Sequence, residues 1–222
     1  MAIDSDRCLA LFTHRCYKHH TMTILYLIVA RGGSKRLPGK NLRQINGISL
    51  IGYKCLAAKQ SQSCTDVMLS TDSHEIADEA RKYNVSSPFI RPDFLATDTA
   101  TTEGVVRHAI TWCAERGKIY DAIALLEPSS PFVRPQDYDQ ACEIMEDWDA
   151  QFVYSEPFGK GICYLFRWHY LDSRVDLYDN PEHIQSFMMP AEYSLDIDMP
   201  NDLIHASYLA DRAHMDLSWT TS

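Results

Sequence analysis

Apolar and polar positions alternate along the chain in blocks that predict strands and helices in turn. Residues Ile24 to Ala30 form an almost unbroken apolar run, which is typical of a parallel strand buried on both faces. The stretch 49–62 has a helical pattern, and TDVMLST at 65–71 has the pattern of a strand. Residues 73–84 begin with a serine suited to cap a helix. One face of that helix is apolar: Ile76, Ala77, Ala80 and Tyr83.

The same alternation continues to the end of the chain. A helix is predicted from about Thr101, then a strand at 120–127 and a helix at 136–148. Two further strands are expected at 151–155 and 162–166, and a last helix follows Pro200, a residue that suits a first helical turn. Alternating elements with short loops predict a three-layer, Rossmann-like α/β domain with a mostly parallel sheet.

Length and charge narrow the function classes. The chain has 222 residues, 45% of them apolar, and a net charge of -9. We therefore expect a single domain over residues 22–222. We expect no nucleic-acid or membrane partner, because both would require a cationic surface. Seven cysteines without a CxxC pair suggest reduced thiols rather than a zinc site or a disulfide framework.

The N-terminal residues 1–21 show no clear period, and the first convincing strand follows Met22. We interpret them as a disordered extension or a wrongly assigned start. No apolar run reaches the roughly 18 residues that cross a bilayer, and the segment is a poor signal peptide. A cytoplasmic location is therefore expected.

A cationic, glycine-rich loop directly follows the first strand. Its sequence, RGGSKRLPGKN at 31–41, lets the backbone approach an anion closely and predicts a polyphosphate site. It matches neither the Walker A motif nor the dinucleotide-binding motif. A solvated basic loop is the alternative interpretation.

A pair of carboxylates precedes the last helix. In an extended DIDMPNDL segment, Asp196 and Asp198 point the same way while Ile197 turns to the core. Two adjacent carboxylates repel each other unless a cation joins them, and Mg²⁺ binds such pairs together with substrate phosphates. Alternatively, both residues are solvated loop positions.

Other strand-end loops carry polar residues. Ser129 and Ser130 stand between two prolines after the strand at 120–127. Asp72 and Thr101 could cap helices, and Arg91 could contact a nucleotide.

These motifs in this order are similar to those of the N-acylneuraminate cytidylyltransferase family of enzymes that activate acidic sugars. The resemblance extends from about Ile24 to Leu209. It implies that Arg91 and the cationic loop bind CTP, that Asp196 and Asp198 bind Mg²⁺, and that Glu127, Ser129 and Ser130 lie near the sugar. The loop positions implied to bind the nucleotide are Arg31, Gly32, Gly33, Ser34, Lys35, Lys40 and Asn41.

Two features depart from that family. Glu127 replaces a glutamine, so a carboxylate faces anionic substrates and requires a cation or a proton. The segment near 156–161 is shorter than in relatives, where it supplies basic residues and a dimer contact, and Lys160 is the basic residue left there. A monomer or an atypical homodimer is therefore expected.

The resemblance implies that the anomeric hydroxyl of an acidic nonulosonic sugar such as N-acetylneuraminate attacks the α-phosphorus of CTP. Arg31, Lys40, Asp196 and Asp198 would be the catalytic residues. No clear general base is present; His183 and Glu127 are candidates. Alternatives are activation of legionaminic, pseudaminic or ketodeoxyoctonic acid, a nucleotide-binding relic, or a sugar-1-phosphate nucleotidyltransferase, although the last would not be expected to carry the DID motif.

Overall fold

Strands and helices alternate along the folded chain as the sequence predicts. A computed structural model describes residues 22–156, 163–167, 183–211 and 215–221. Residues 1–21 and the shortened segment, apart from Glu156 itself, lie outside the described residues, so the expectations for them stay predictions. No helix in the described parts is long and apolar enough to span a bilayer.

The strands and helices match the predicted segments closely, with additions. The strands are β1 (Ile24–Ala30), β2 (Gln44–Ile45), β3 (Ile48–Ser49), β4 (Asp66–Thr71), β5 (Ala122–Leu126), β6 (Phe152–Glu156), β7 (Tyr164–Arg167) and β8 (Ile184–Met188). The helices are α1 (Leu50–Gln60), α2 (His74–Arg81), α3 (Thr102–Ala114), α4 (Pro135–Asp147) and α5 (Pro200–Asp211). The sequence interpretation did not include the β2–β3 hairpin or β8.

Within the described residues, six strands form the main sheet in the order β4-β1-β5-β7-β6-β8. Parallel pairing joins β1 to β4 and to β5, and also β6 to β8. The exception is β7, which runs antiparallel to both neighbours. The predicted α/β fold with a mostly parallel sheet is confirmed.

Both faces of the sheet are covered by helices. From β1, Tyr26 and Ile28 join a core cluster with α1 and α4, whereas Leu25 and Leu27 join a second cluster with α3. The two sets alternate because successive side chains of a strand point to opposite faces. This arrangement explains why the β1 sequence is apolar throughout.

Hydroxyl side chains fix the starts of three helices. Ser49 accepts from the Gly52 N–H at 3.1 Å, and Ser73 accepts from the Ile76 N–H at 3.3 Å. Thr101 accepts from the Gly104 N–H at 3.1 Å. These caps satisfy amides that a helix leaves unpaired in its first turn. The Ser73 cap makes α2 begin directly after the loop that follows β4. The Thr101 cap likewise fixes where α3 begins.

Candidate active site

The carboxyl ends of β1, β4 and β5 meet at one edge of the sheet, because the three strands are parallel and adjacent. A cavity of about 540 Å³ opens there, as expected for ligand sites in such sheets. Nine predicted site residues line it: Arg31, Ser34, Lys35, Lys40, Asn41, Arg91, Glu127, Ser129 and Asp198. Gly32, Gly33, Ser130 and Asp196 lie outside its lining.

The loop after β1 folds back on itself rather than extending into solvent. The Asn41 side-chain amide donates to the Arg31 carbonyl at 2.9 Å, and Leu37 is buried. Gly39 has a φ of 65°, a left-handed conformation that glycine adopts without strain. The closed loop therefore presents Lys35 and Lys40 to the cavity from a fixed backbone.

Gly32 is placed by close contact with the loop after β4. Its N–H donates to Asp72 at 2.9 Å, and a Cβ at this position would lie 3.2 Å from the Cβ of Ser73. The N–H of Gly32, which we predicted to face a phosphate, thus faces a carboxylate. Ser73 rather than Asp72 caps α2, whereas Thr101 caps α3, as the sequence suggested.

Two carboxylates each bridge two cations of the loop. Asp98 pairs with Arg31 at 2.9 Å and also with Lys35. Asp198 pairs with Arg36 at 2.8 Å and with Lys40 at 3.0 Å. The cationic loop is therefore neutralised from two sides. The sequence interpretation missed Asp98 and Arg36, although Arg36 lies within the cationic loop that it singled out.

Arg91 is a buried guanidinium in the wall of the cavity. It is 3% exposed, donates to the Ala30 carbonyl at 3.4 Å and lies 3.6 Å from Asp72. Burial lowers its pKa, which Asp72 opposes. Within the described residues its buried Nε has no hydrogen-bond partner, so this donor is unsatisfied.

Glu127 follows β5 directly and forms part of the cavity floor. Burial raises the pKa of its carboxyl, and the charges of Asp196 and Asp198 raise it further. Lys54 and Lys40 oppose that rise. A raised pKa favours the protonated acid, which is one of the two ways in which this carboxyl could face an anionic substrate.

The segment with Asp196 and Asp198 is anchored between the two aspartates. Ile197 is fully buried, and its N–H donates to the Ser129 carbonyl at 2.7 Å. Asp202 accepts from the amides of Asp198 and Met199 at 2.9 and 2.7 Å, which fixes the entry into α5. Asp196 is exposed and Asp198 is half-buried, as the predicted alternation about Ile197 requires.

A further charged residue lies beneath the site. Lys54 on α1 is fully buried, and its ammonium donates to the Tyr138 hydroxyl at 3.1 Å. Burial lowers its pKa to about 7, whereas Glu127 and Asp196 are among the groups that raise it. The sequence interpretation placed this lysine in a helix without assigning it a role. By contrast, the candidate base His183 is exposed and outside the cavity lining.

Comparison with known proteins assigns this site to a family. The sequence profile of the family described as cytidylyltransferase matches residues 25–187. The chain belongs to the cytidylyltransferase family. The matched residues include every cavity residue discussed above except Asp198, which lies beyond residue 187.

Relatives in this family act on acidic sugars according to their names. A CMP-N,N'-diacetyllegionaminic acid synthase of Legionella pneumophila is 43% identical over 123 residues, 55% of this chain and 53% of the relative. A pseudaminic acid cytidylyltransferase of Campylobacter jejuni is 35% identical over 134 residues, 60% of this chain and 58% of the relative. The matches thus span little more than half the length of these curated relatives.

Solved structures share the fold of this chain. A CMP:2-keto-3-deoxy-manno-octonic acid synthetase complexed with CTP has a TM-score of 0.65 at 16% identity, covering 85% of this chain and 98% of that one. At this identity the likeness concerns the fold. What the two proteins share is the α/β architecture.

Proposed function

We propose that this chain transfers CMP from CTP to the anomeric hydroxyl of an acidic nonulosonic sugar and releases pyrophosphate. The observation that carries the proposal is the cavity at the carboxyl ends of β1 and β5, lined by the cationic loop, Arg91 and Asp198, in a member of the cytidylyltransferase family. Cations of this loop suit the triphosphate of CTP, because charges of one sign grouped in a cavity attract a ligand of the opposite charge.

The reaction would be an in-line displacement at the α-phosphorus. A sugar oxygen forms a bond to that phosphorus while the bond to the bridging oxygen of pyrophosphate breaks. Arg31 and Lys40 would neutralise charge on the phosphates, and fixed positions of both substrates would supply much of the rate. The sugar hydroxyl loses its proton in this step, and Glu127, which lines the cavity, would be its acceptor when ionised.

Mg²⁺ is the proposed cofactor, held by Asp196 and Asp198. The donor set fits, because Asp196 and Asp198 flank the buried Ile197 and neither is buried itself, and Mg²⁺ combines one or two carboxylates with phosphate oxygens. Among the residues that the structure describes, no three His, Cys, Asp or Glu side chains gather into a metal site, so substrate oxygens would complete the coordination. When bound, the ion would supply charge neutralisation at the phosphates and polarise the attacking hydroxyl.

Occupation of Asp198 by a cation would also change the loop. Asp198 holds Lys40 and Arg36 in ion pairs. If its oxygens turn to a divalent ion, both side chains are released toward the phosphates. The metal and the nucleotide would therefore assist each other's binding.

The sugar would lie beside Glu127 and Ser129, on the side of the cavity reached by β5. The names of the relatives support an acidic nine-carbon sugar, and we include N-acetylneuraminate, diacetyllegionaminate and pseudaminate in the proposed class, with ketodeoxyoctonate as an eight-carbon alternative. When protonated, Glu127 would donate a hydrogen bond to such a sugar instead of repelling it; in that state it could not also accept the proton of the attacking hydroxyl.

The decisive experiment measures pyrophosphate release with CTP and Mg²⁺ across these four sugars, with ATP, GTP and UTP as nucleotide controls. We expect turnover with CTP and one of the nonulosonic acids, and none after Asp196→Asn. Binding of CTP without turnover on any sugar would favour a nucleotide-binding relic. A sugar 1-phosphate is added to the panel as a further acceptor, and turnover with it instead of an acidic sugar would refute the proposal.

A further inference from the structure

Asp98 bridges two cations of the loop from the opposite side of the cavity. Its Oδ1 lies 2.9 Å from the Arg31 guanidinium, and its Oδ2 accepts from the Lys35 ammonium. The chain separates Asp98 from Lys35 by 63 positions, so the bridge depends on the folded arrangement of the loop after β1 and the segment before α3. All three residues line the same cavity.

The bridge resembles the way a phosphate group binds. A phosphate group presents anionic oxygens to several cations at once, and Arg31 and Lys35 are both proposed phosphate ligands. Hydrogen bonds from Lys35 and Arg31 lower the pKa of Asp98, so its carboxylate is charged at neutral pH. A carboxylate that holds both cations thereby occupies positions that phosphate oxygens would take.

The bridge is also easily exchanged. The side chains of Arg31, Lys35 and Asp98 are 39%, 79% and 50% exposed. Ion pairs between side chains this exposed are weak, since solvent screens them and ordering two long side chains costs entropy. A ligand with several negative charges can replace such a partner.

We propose that Asp98 takes the place of one phosphate group of the nucleotide in the free chain, and that CTP binding exchanges Asp98 for phosphate on Arg31 and Lys35. The inference rests on the proposed function for the identity of the ligand. It makes Asp98 an internal competitor that lowers the affinity for phosphate-bearing ligands and leaves cytidine unaffected, because cytidine has no group that reaches these cations.

The opposite role is physically possible and gives the opposite result. If Asp98 instead held Arg31 and Lys35 ready for the ligand, its removal would weaken binding by freeing two flexible side chains. The two roles are therefore separated by the sign of one measured change.

The test is calorimetric titration of CTP, in the presence of Mg²⁺, into the full chain and into its Asp98→Asn and Asp93→Asn variants. Asp93 is the matched control, because it is an exposed aspartate in the same segment that lies outside the cavity lining. We expect Asp98→Asn to tighten CTP binding roughly three- to tenfold, which equals about 0.7–1.4 kcal/mol. Asp93→Asn should stay within about twofold of the parent chain, as expected of a solvated surface charge. Cytidine affinity should be equal in all three proteins.

Unchanged or weaker CTP binding by Asp98→Asn would overturn the inference, as would an equal gain in Asp93→Asn, which would indicate a general effect of net charge. If the parent chain binds CTP and the Asp98 variant does not differ, the proposed function stands without this role for Asp98. If the parent chain binds no CTP, both fail. Asp98→Ala, with the urea midpoint of each variant, guards against a folding artefact.

Discussion

Replacing the buried Lys54 by methionine should change how stability depends on pH. The ammonium lies in the core against Tyr138, and burial lowers its pKa from 10.5 to about 7. Methionine keeps a similar shape and removes the charge. Because the group titrates at different pH in the folded and unfolded chain, its removal should be visible as a change of slope rather than as a constant loss.

The sign and the size follow from proton counting. Between pH 7 and 10.5 the unfolded chain holds a proton on Lys54 that the folded chain has lost, so the free energy of unfolding rises with pH in this window. The rise is about 1.4 kcal/mol per pH unit, hence about 2 kcal/mol between pH 7 and 8.5. Below pH 7 both states are protonated, and the contribution is flat.

Other groups near Lys54 must be separated from it. Its charged or titratable neighbours are Tyr138, Cys163, Asp137, Glu127 and Asp196. Burial raises the pKa of the Cys163 thiol and of Tyr138, so both stay neutral in the folded chain in this range.

The assay is urea unfolding at half-unit steps from pH 6 to 8.5 for the parent chain, Lys54→Met and Lys59→Met. Lys59 is the control, since it is an exposed lysine of the same helix. The difference in free energy of unfolding between the parent chain and Lys54→Met should increase by about 2 kcal/mol from pH 7 to 8.5. The corresponding difference between the parent chain and Lys59→Met should not change with pH. The measurements on the parent chain and on Lys54→Met are repeated with Glu127→Gln in both, which removes the neighbouring carboxyl whose pKa is raised. Parallel curves for the parent chain and Lys54→Met in both backgrounds would show that burial does not lower the pKa of Lys54.

Further predictions concern the site. Asp196→Asn and Asp198→Asn should each abolish Mg²⁺-dependent pyrophosphate release while leaving a folded protein; Asp198→Asn should also lower stability by about 1 kcal/mol, since it loses two partly exposed ion pairs. Turnover near the parent rate in either variant would mean that the pair is structural. Arg31→Ala and Lys40→Ala should each cost about 1.5–3 kcal/mol in CTP binding or transition-state stabilisation, whereas Arg43→Ala, outside the cavity lining, should match the parent in CTP titrations. Light scattering should find a monomer or a dimer unlike that of relatives; a family-type dimer with tight N-acetylneuraminate binding would contradict the expected effect of the short segment.

Most of the sheet could be predicted because its central strands carry the strongest signal. The strands β1 and β5 are buried on both faces, so their sequences are apolar throughout and stand out from the surrounding turns. The reversed direction of β7 left no trace in its own residues, since a short strand looks the same in either direction. The edge strand β8 was missed because it is half-exposed and its alternation is weak.

The site residues could be predicted where charged residues are concentrated in a short segment of the sequence. They could not be predicted where their role depends on contacts that only the folded chain brings about. The loop after β1 and the pair Asp196 and Asp198 are dense in charge, which a pattern can reveal. Asp98 resembles a solvated loop aspartate until folding places it against Arg31. Lys54 resembles an ordinary helical lysine, because the helix pattern does not specify that it points to the core rather than to water.

The hydrogen bond from the Ile197 N–H to the Ser129 carbonyl joins the segment proposed to hold the metal to the turn proposed to contact the sugar. Ser129 belongs to the turn proposed to meet the sugar, and Ile197 separates the two aspartates proposed to hold the metal. A slip of one residue in this extended segment would drive a carboxylate into the core and expose an isoleucine. Changes that reshape the sugar pocket through this turn therefore also move the metal ligands, so sugar preference and metal dependence should change together in evolved or engineered variants.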